Sequence, residues 1–375
     1  MVKDSNEVWR ISGRKESKIS IRPLMNENIR KMAEFIPCPR RGMKRSLRFI
    51  RVRRCSNMAG KHEASCSFKT SIGGQALIEG ILMRGPKKQA IVCRTEDGLV
   101  EKTEELHLLR DKYAFFGWPL VRGNVTFIDS MVKGMQALTY SASLVPLDQQ
   151  EEPDKLDQWI EAHFSQEKAE KIIIYVAVVL GILLSLFLFL FLPTFIVSAI
   201  KPLTRSYLIR NLAEGFTKVA ILLLYMALVS KMKDIKRLFS YHGAEHKTIF
   251  CYEHGKKLTV ENVRPESRFH PRCGTSFLLV VVLVSILVNS TVRVANPFAR
   301  VGVHLLLLPV VVEISYEINR WCGLHDNTLS AILSAPGKWL QRITTNEPDD
   351  SMIECAIRAM ELVIPEEKGL DAWGS

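Results

Sequence analysis

The run Tyr241-His242-Gly243-Ala244-Glu245-His246-Lys247 holds the residue types best suited to metal chemistry. His242 and His246 are four apart, so on a helix both imidazoles project from one face and can share an ion. Glu245 stands beside them. This is the H-x-x-E-H order of inverted zinc peptidases, in which two His bind metal and the carboxylate activates water. A five-residue pattern with two free positions also arises by chance, so its surroundings matter. His254 follows, then Arg268-Phe269-His270-Pro271-Arg272-Cys273-Gly274. Imidazole and thiolate both suit zinc, and Pro271 with Gly274 predicts a tight turn that presents His270 and Cys273 together. Glu313 and Glu317 lie one helical turn apart at the end of an apolar stretch, where an unpaired carboxylate is costly. Glu317 is therefore a further candidate ligand. The competing reading is a polar network that closes one end of a helical bundle without metal, with Arg272 or Arg320 pairing Glu317.

Secondary candidates carry less. Gly73-Gly74-Gln75-Ala76, Glu79-Gly80 and Met83-Arg84-Gly85 space their glycines too irregularly for a phosphate loop. Turn glycines beside strands account for them, leaving Glu79 and Arg84 as outlying candidates. Arg122-Gly123-Asn124 opens a helix whose N-terminus can hold an anion, with Asn124 as the expected N-cap. Glu214 reads as a solvated residue at the outer face, and His304 as a satisfied bundle residue.

The elements that must position these groups are mostly apolar helices. Ile172–Leu192 has 21 residues and no charge, about 31 Å as a helix, which matches a hydrocarbon core. Phe216–Ser230, Phe277–Val292 and Val301–Tyr316 follow as shorter apolar segments. The expected fold is a multi-pass α-helical membrane protein of about four spans in 172–320, with a small α+β cytoplasmic domain. That domain is expected over 71–146. Ala76–Met83, Ala90–Arg94 and Leu99–Leu106 are its strands. Val125, Ile128, Val132, Met135 and Leu138 mark an amphipathic helix near 119–142. Residues 147–171 read as a linker. The His/Cys segment 231–276 reads as a cytoplasmic loop. The tail 321–375 should carry an amphipathic helix with Ile353, Ile357, Met360 and Ile364 on one side, started by Asp349-Asp350-Ser351.

Segment 231–276 carries ten Lys and Arg, against three in 193–215 and two in 293–300. The positive-inside rule then puts this segment and both termini on the cytoplasmic side of a bacterial cytoplasmic membrane. The net charge of +12 resides in the first 70 residues, with 18 Lys and Arg against 6 acids. That arm is expected to be a disordered, solvated tail, so no nucleic-acid partner is expected. Eight scattered Cys without a CxxC pair argue for reduced thiols.

Taken together, Gly73–Arg84, Arg122-Gly123, Tyr241–Lys247, His270–Ser276 and Ser315-Tyr316-Glu317 resemble the YqhQ-like proteins, a bacterial membrane family of unknown function labelled as predicted metal-dependent enzymes. The resemblance covers about residues 71–364. It implies the same multi-span architecture and the same His, Glu and Cys candidates, and it supplies no substrate. The expected function is a metal-dependent enzyme, a hydrolase by type, at the cytoplasmic membrane face. His242 and His246 would bind zinc, one of His270, Cys273 or Glu317 would complete the set, and Glu245 would be the general base. The alternative is a non-catalytic membrane scaffold or assembly factor in which the cluster is structural. The bilayer is the expected partner, and a homo-oligomer is compatible with the pattern.

Overall fold

The structure is a computed structural model that describes residues 68–106, 113–144, 166–199, 206–294, 296–325, 327–367 and 369–373. The basic arm lies outside the described residues up to position 67, as does most of the expected linker.

Four strands form an antiparallel meander in chain order: β1 Gly73–Leu77, β2 Gly80–Arg84, β3 Lys88–Thr95 and β4 Gly98–Glu105. Short turns at Glu79, Pro86 and Asp97 punctuate them. Ala90–Cys93 is buried without alternation because both sheet faces are covered. One face packs Ile81, Met83, Ala90 and Val92 into the main core. The other sets Leu77, Leu82, Ile91 and Cys93 against Ala137 of helix α1, Arg122–Ala142.

Three further helices are long and apolar enough to cross a membrane: Tyr175–Ala199, Tyr207–Val229 and Pro297–Leu324. The first is built from α2, Gln166–Leu186, a π turn at Phe187–Phe191, and α3, Leu192–Ala199. The second is α4, Tyr207–Val229. The apolar helix α7, Gly274–Asn289, is shorter. The last is α8, Pro297–Leu324, opened by an Asn296 cap and Pro297. Helices α4 and α8 run on beyond the stretches expected from hydropathy, because polar residues such as Arg210, Glu214 and Arg300 are buried inside the bundle, whereas α7 is no longer than expected and begins and ends three residues earlier.

Segment 231–276, expected as a loop, is largely helical. It contains α5, Lys233–Glu253, and the short α6, Val260–Val263. The tail holds two helices where one was expected. The unexpected one is α9, Thr328–Thr344, which starts with an Asn327 capping box and tolerates Pro336 inside it. The expected one is α10, Asp350–Val363, capped by Asp349 through the Met352 amide. Met352, Ile353, Ala356, Ala359 and Met360 of α10 meet Tyr241 and Ala244 of α5 in the main core, on the sheet.

Candidate metal centre

The core-facing side of α5, with Tyr241, Ala244 and Ile249, fixes the helix against α10 and the sheet. The next side therefore faces the turn before α7, and there stand His242 and His246. Their rings are 4.4 Å apart between centroids. The ligand atoms of His242, His246 and Cys273 all lie within 4.8 Å of one another. Cys273 is the N-cap of α7, where the Thr275 amide donates to its sulfur.

Backbone carbonyls orient both imidazoles. His242 Nδ1 donates to Thr344 O at 2.8 Å, which leaves Nε2 turned toward Cys273 Sγ at 3.2 Å. His246 Nδ1 donates to Arg268 O at 2.5 Å. Its Nε2 is buried and has no hydrogen-bond partner among the described residues. An imidazole whose outer nitrogen is tied to a carbonyl while the other faces a thiolate is the arrangement found around bound zinc. Glu245 is buried as well. One carboxylate oxygen lacks a partner among the described residues, and the Gly74 amide hydrogen-bonds the group.

Two glycines make the assembly possible. A Cβ at Gly243 would collide with the Asn346 carbonyl oxygen, so only glycine lets α5 close on the chain that carries Thr344. A Cβ at Gly74 would come within 3.0 Å of the Glu245 carboxyl carbon and 2.6 Å of Leu82 O. The glycine pair opening β1 is thus part of the wall of the site.

Burial works against charge on every group here, and the groups compensate one another. Burial penalises protonated His242, but the Cys273 sulfur and Glu245 outweigh it and its pKa is pushed up to about 9. Burial also opposes the Cys273 thiolate, yet His242 and His246 hold its pKa well below the usual thiol value. Glu245 is raised by burial, against the pull of both His. His242 and Cys273 thus favour each other's charged forms, beside the unpartnered Nε2 of His246 and the Glu245 carboxyl group.

The remaining candidates sit elsewhere. His270 is beside the cluster, its ring 5.6 Å from that of His246, but it is held in a second network. Its backbone amide and carbonyl are clamped by the Gln341 side chain at 2.8 and 2.7 Å. Its Nε2 lies 3.6 Å from Glu253, which also pairs with Arg272. Burial drops the His270 pKa to about 4. His254 pairs with Glu266 at 2.9 Å. Glu317 is not a ligand: Arg122 binds it through two contacts of 2.6 Å, so the pairing expected of Arg272 or Arg320 falls to Arg122. The anion expected at the start of α1 is the Glu313 carboxylate, which accepts from the Gly123 and Asn124 amides at 3.1 Å. The N-cap is Val121, and Asn124 lies inside the helix, donating to Glu313 instead. Glu79 adopts φ 50° in the β1–β2 turn and reaches Arg237 and Tyr241. Arg84 pairs with Asp129 at 2.5 Å.

Residues 118–366 match the model of a family described as protein of unknown function (DUF1385). A curated relative, the uncharacterized protein YqhQ of Bacillus subtilis (strain 168), is 32% identical over 299 residues, covering 76% of this chain and 90% of its own. The chain belongs to this family. The resemblance to YqhQ-like proteins drawn from the motifs is confirmed. No solved structure matches. The DUF1385 region contains α5, the 268–274 turn and α9, and so all three members of the His242–His246–Cys273 group. The hairpin that supplies Gly74 precedes it.

Three contributors escaped the sequence reading. Thr344 and Arg268 act through carbonyl oxygens, which no residue type advertises. Gln341 lies in a helix that Pro336 and Gly337 disguise as a loop.

Proposed function

We propose that this DUF1385 protein is a membrane-embedded, metal-dependent hydrolase with its centre at His242, His246 and Cys273. The convergence of two carbonyl-oriented imidazoles and a thiolate within 4.8 Å carries the reading. The orphaned Nε2 of His246 fits it, since a buried lone pair without a donor is stabilised by a cation. The donor set favours zinc. A bound divalent ion supplies a Lewis acid and a lowered water pKa. Glu245 is placed to take a proton from water at the centre, and its raised affinity for protons suits a base that must later return one. Thr344 and Arg268 hold the imidazoles so that both Nε2 atoms face inward.

Insertion into a bilayer follows from exposure. The most apolar window of Tyr175–Ala199 has mean hydropathy 2.9 and none of it is buried. Water is a poor solvent for such a surface and lipid a good one. With α7 and α8, four helices would cross. The basic segment holding the centre then faces the cytoplasm, and the substrate would be reached at that membrane face.

Elemental analysis of purified protein tests the centre. One zinc-like ion per chain is expected, falling below a tenth in His242→Ala and His246→Ala. Wild-type protein without metal overturns the proposal. Glu245→Gln should keep the ion and abolish the cellular activity. Full activity in that variant would favour a structural cluster and a scaffold role.

A second reading draws on the 3.2 Å contact of Cys273 Sγ with His242 at a helix N-terminus. Such a thiolate is a nucleophile. Alkylation of Cys273 by iodoacetamide in chelator-treated protein, with activity unharmed by the chelator, would select it.

A further inference from the structure

At the far end of the bundle lies a second polar cluster, which the metal centre does not use. It is some 24 Å from Cys273, the length of α7. Glu214, expected to be solvated, is 2% exposed. It pairs with Lys218 at 2.9 Å, Arg300 at 2.8 Å and His304 at 3.3 Å, and accepts from Thr194 at 3.0 Å. Arg210 lies close enough to repel Arg300. It rests on the Tyr207 ring at 4.4 Å. Arg210, Arg300 and His304 are each more than nine-tenths buried.

The charges do not balance. Among the described residues the corner holds three buried or nearly buried cations, Arg210, Lys218 and Arg300, and one carboxylate, Glu214, which pairs with the last two. Segments 193–218 and 289–304 contain six Lys and Arg and one acid, Glu214. Asn211 gives Arg300 a neutral acceptor through its oxygen and adds no negative charge, while its amide is committed to the carbonyls of Asn289, Ser290 and Val292, which closes the α7–α8 turn. Arg210 Nε and Arg300 Nε have no hydrogen-bond acceptor among the described residues. Arg300 is partly satisfied by Glu214 and Asn211, but a buried guanidinium N–H without an acceptor is costly. Arg210 and Arg300 also stand one turn inside the starts of α4 and α8, whose N-terminal dipoles add positive potential.

We infer that this corner binds a phosphate-type oxyanion, with Arg210 and Arg300 as its principal donors and Glu214 as an internal competitor for Arg300. Guanidinium forks match phosphate oxygens. The inference rests on the membrane part of the proposed function and is independent of the metal. The headgroup of an anionic phospholipid in the adjoining leaflet and free phosphate share this chemistry.

The test is thermal unfolding of full-length protein in neutral detergent, titrated separately with short-chain phosphatidylglycerol, diacylglycerol of the same chains, and inorganic phosphate. Saturable stabilisation by phosphatidylglycerol, and none by diacylglycerol, is expected for a lipid headgroup. The same saturation by inorganic phosphate alone would assign the site to the free ion. Arg210→Gln should weaken the apparent affinity at least tenfold, and Arg210→Lys by only a few-fold. Exposed Arg293→Gln should leave it unchanged. Glu214→Gln should tighten binding, since it removes the charge that holds Arg300, an effect a merely structural carboxylate would not give. No saturable shift with either phosphate compound, equal losses in Arg210→Gln and Arg293→Gln, or weaker binding in Glu214→Gln would each overturn the inference. Liposome flotation of the same preparation reports insertion separately, and His242→Ala should bind the anion normally whatever becomes of the metal.

Discussion

Small residues around the His242–His246–Cys273 group matter as much as its side chains. Gly243 sits between His242 and the Glu245–His246 pair, and its missing side chain is what allows Thr344 O to reach His242. Gly243→Ala should cost about 1–3 kcal/mol, as overpacking against backbone does. It should also weaken metal binding more than its loss of stability explains, measured by competition with a chromogenic chelator. Glu253 gives a pH prediction. Burial opposes its charge, but His270 and Arg272 hold its pKa below the ordinary carboxylate value. A depressed folded-state pKa stabilises the protein above the unfolded value, and that share is lost as pH falls toward the folded value. Glu253→Gln should therefore lower Tm at neutral pH, with the gap to wild type closing on acidification through that window. A constant gap would show that the pairing is electrostatically neutral. The grouping of His242, His246 and Cys273 was legible in the sequence because side chains supply it. Glu317 misled because a carboxylate in an apolar helix signals only that some partner exists, and Arg122 is 195 residues away.

Helix periodicity found α10, whose apolar face meets the main core. It also found α1, but the stripe it marked is turned outward: Ile128, Val132 and Met135 are exposed, and the helix meets the sheet through Gly134, Ala137 and Ser141. Periodicity missed α9, where Pro336 and Gly337 break the pattern and close contact of Gly337 with Ser276 replaces large side chains. The four-residue spacing of His242 and His246 pointed to a helix within 231–276, but its length was hidden, because ten basic and several polar residues mask a helix whose buried side carries Glu245, Lys247 and Thr248. The runs 90–94 and 99–106 were legible as β3 and β4, but the run Ala76–Met83 is the end of β1, a turn at Glu79 and most of β2, and burial on both faces removed the alternation. Helix α1 is joined to α8 through Glu313 and Glu317 at its first turn. Glu313→Ala should cost about 1 kcal/mol of capping and charge–dipole stabilisation. Faster amide exchange confined to the first turns of α1 is the expected readout; uniform exchange along α1 would mean that the sheet alone holds it.

On the scale of the molecule, apolar surface is arranged in two ways. The sheet, α5 and α10 enclose theirs, whereas Tyr175–Ala199 leaves its own outward. Alkaline carbonate extraction of cell membranes should leave the chain in the pellet. Release into the supernatant would remove the bilayer from the account. Hydropathy showed this division in the sequence. It did not show that the far end of the bundle buries a cationic cluster, since isolated Arg and Lys near helix ends look the same when they face water.

The beginning and end of the described chain are also joined. Thr70 bridges Ala372, Ser71 N donates to Asp371 O at 2.5 Å, and Asp371 accepts from Thr70 and Tyr252. Arg272, which neighbours Cys273, lies 5.2 Å from the Trp373 ring. The last few residues therefore act as a latch on the segment that delivers the thiol. Trimming by a carboxypeptidase should loosen a sulfur that lies a hundred positions upstream.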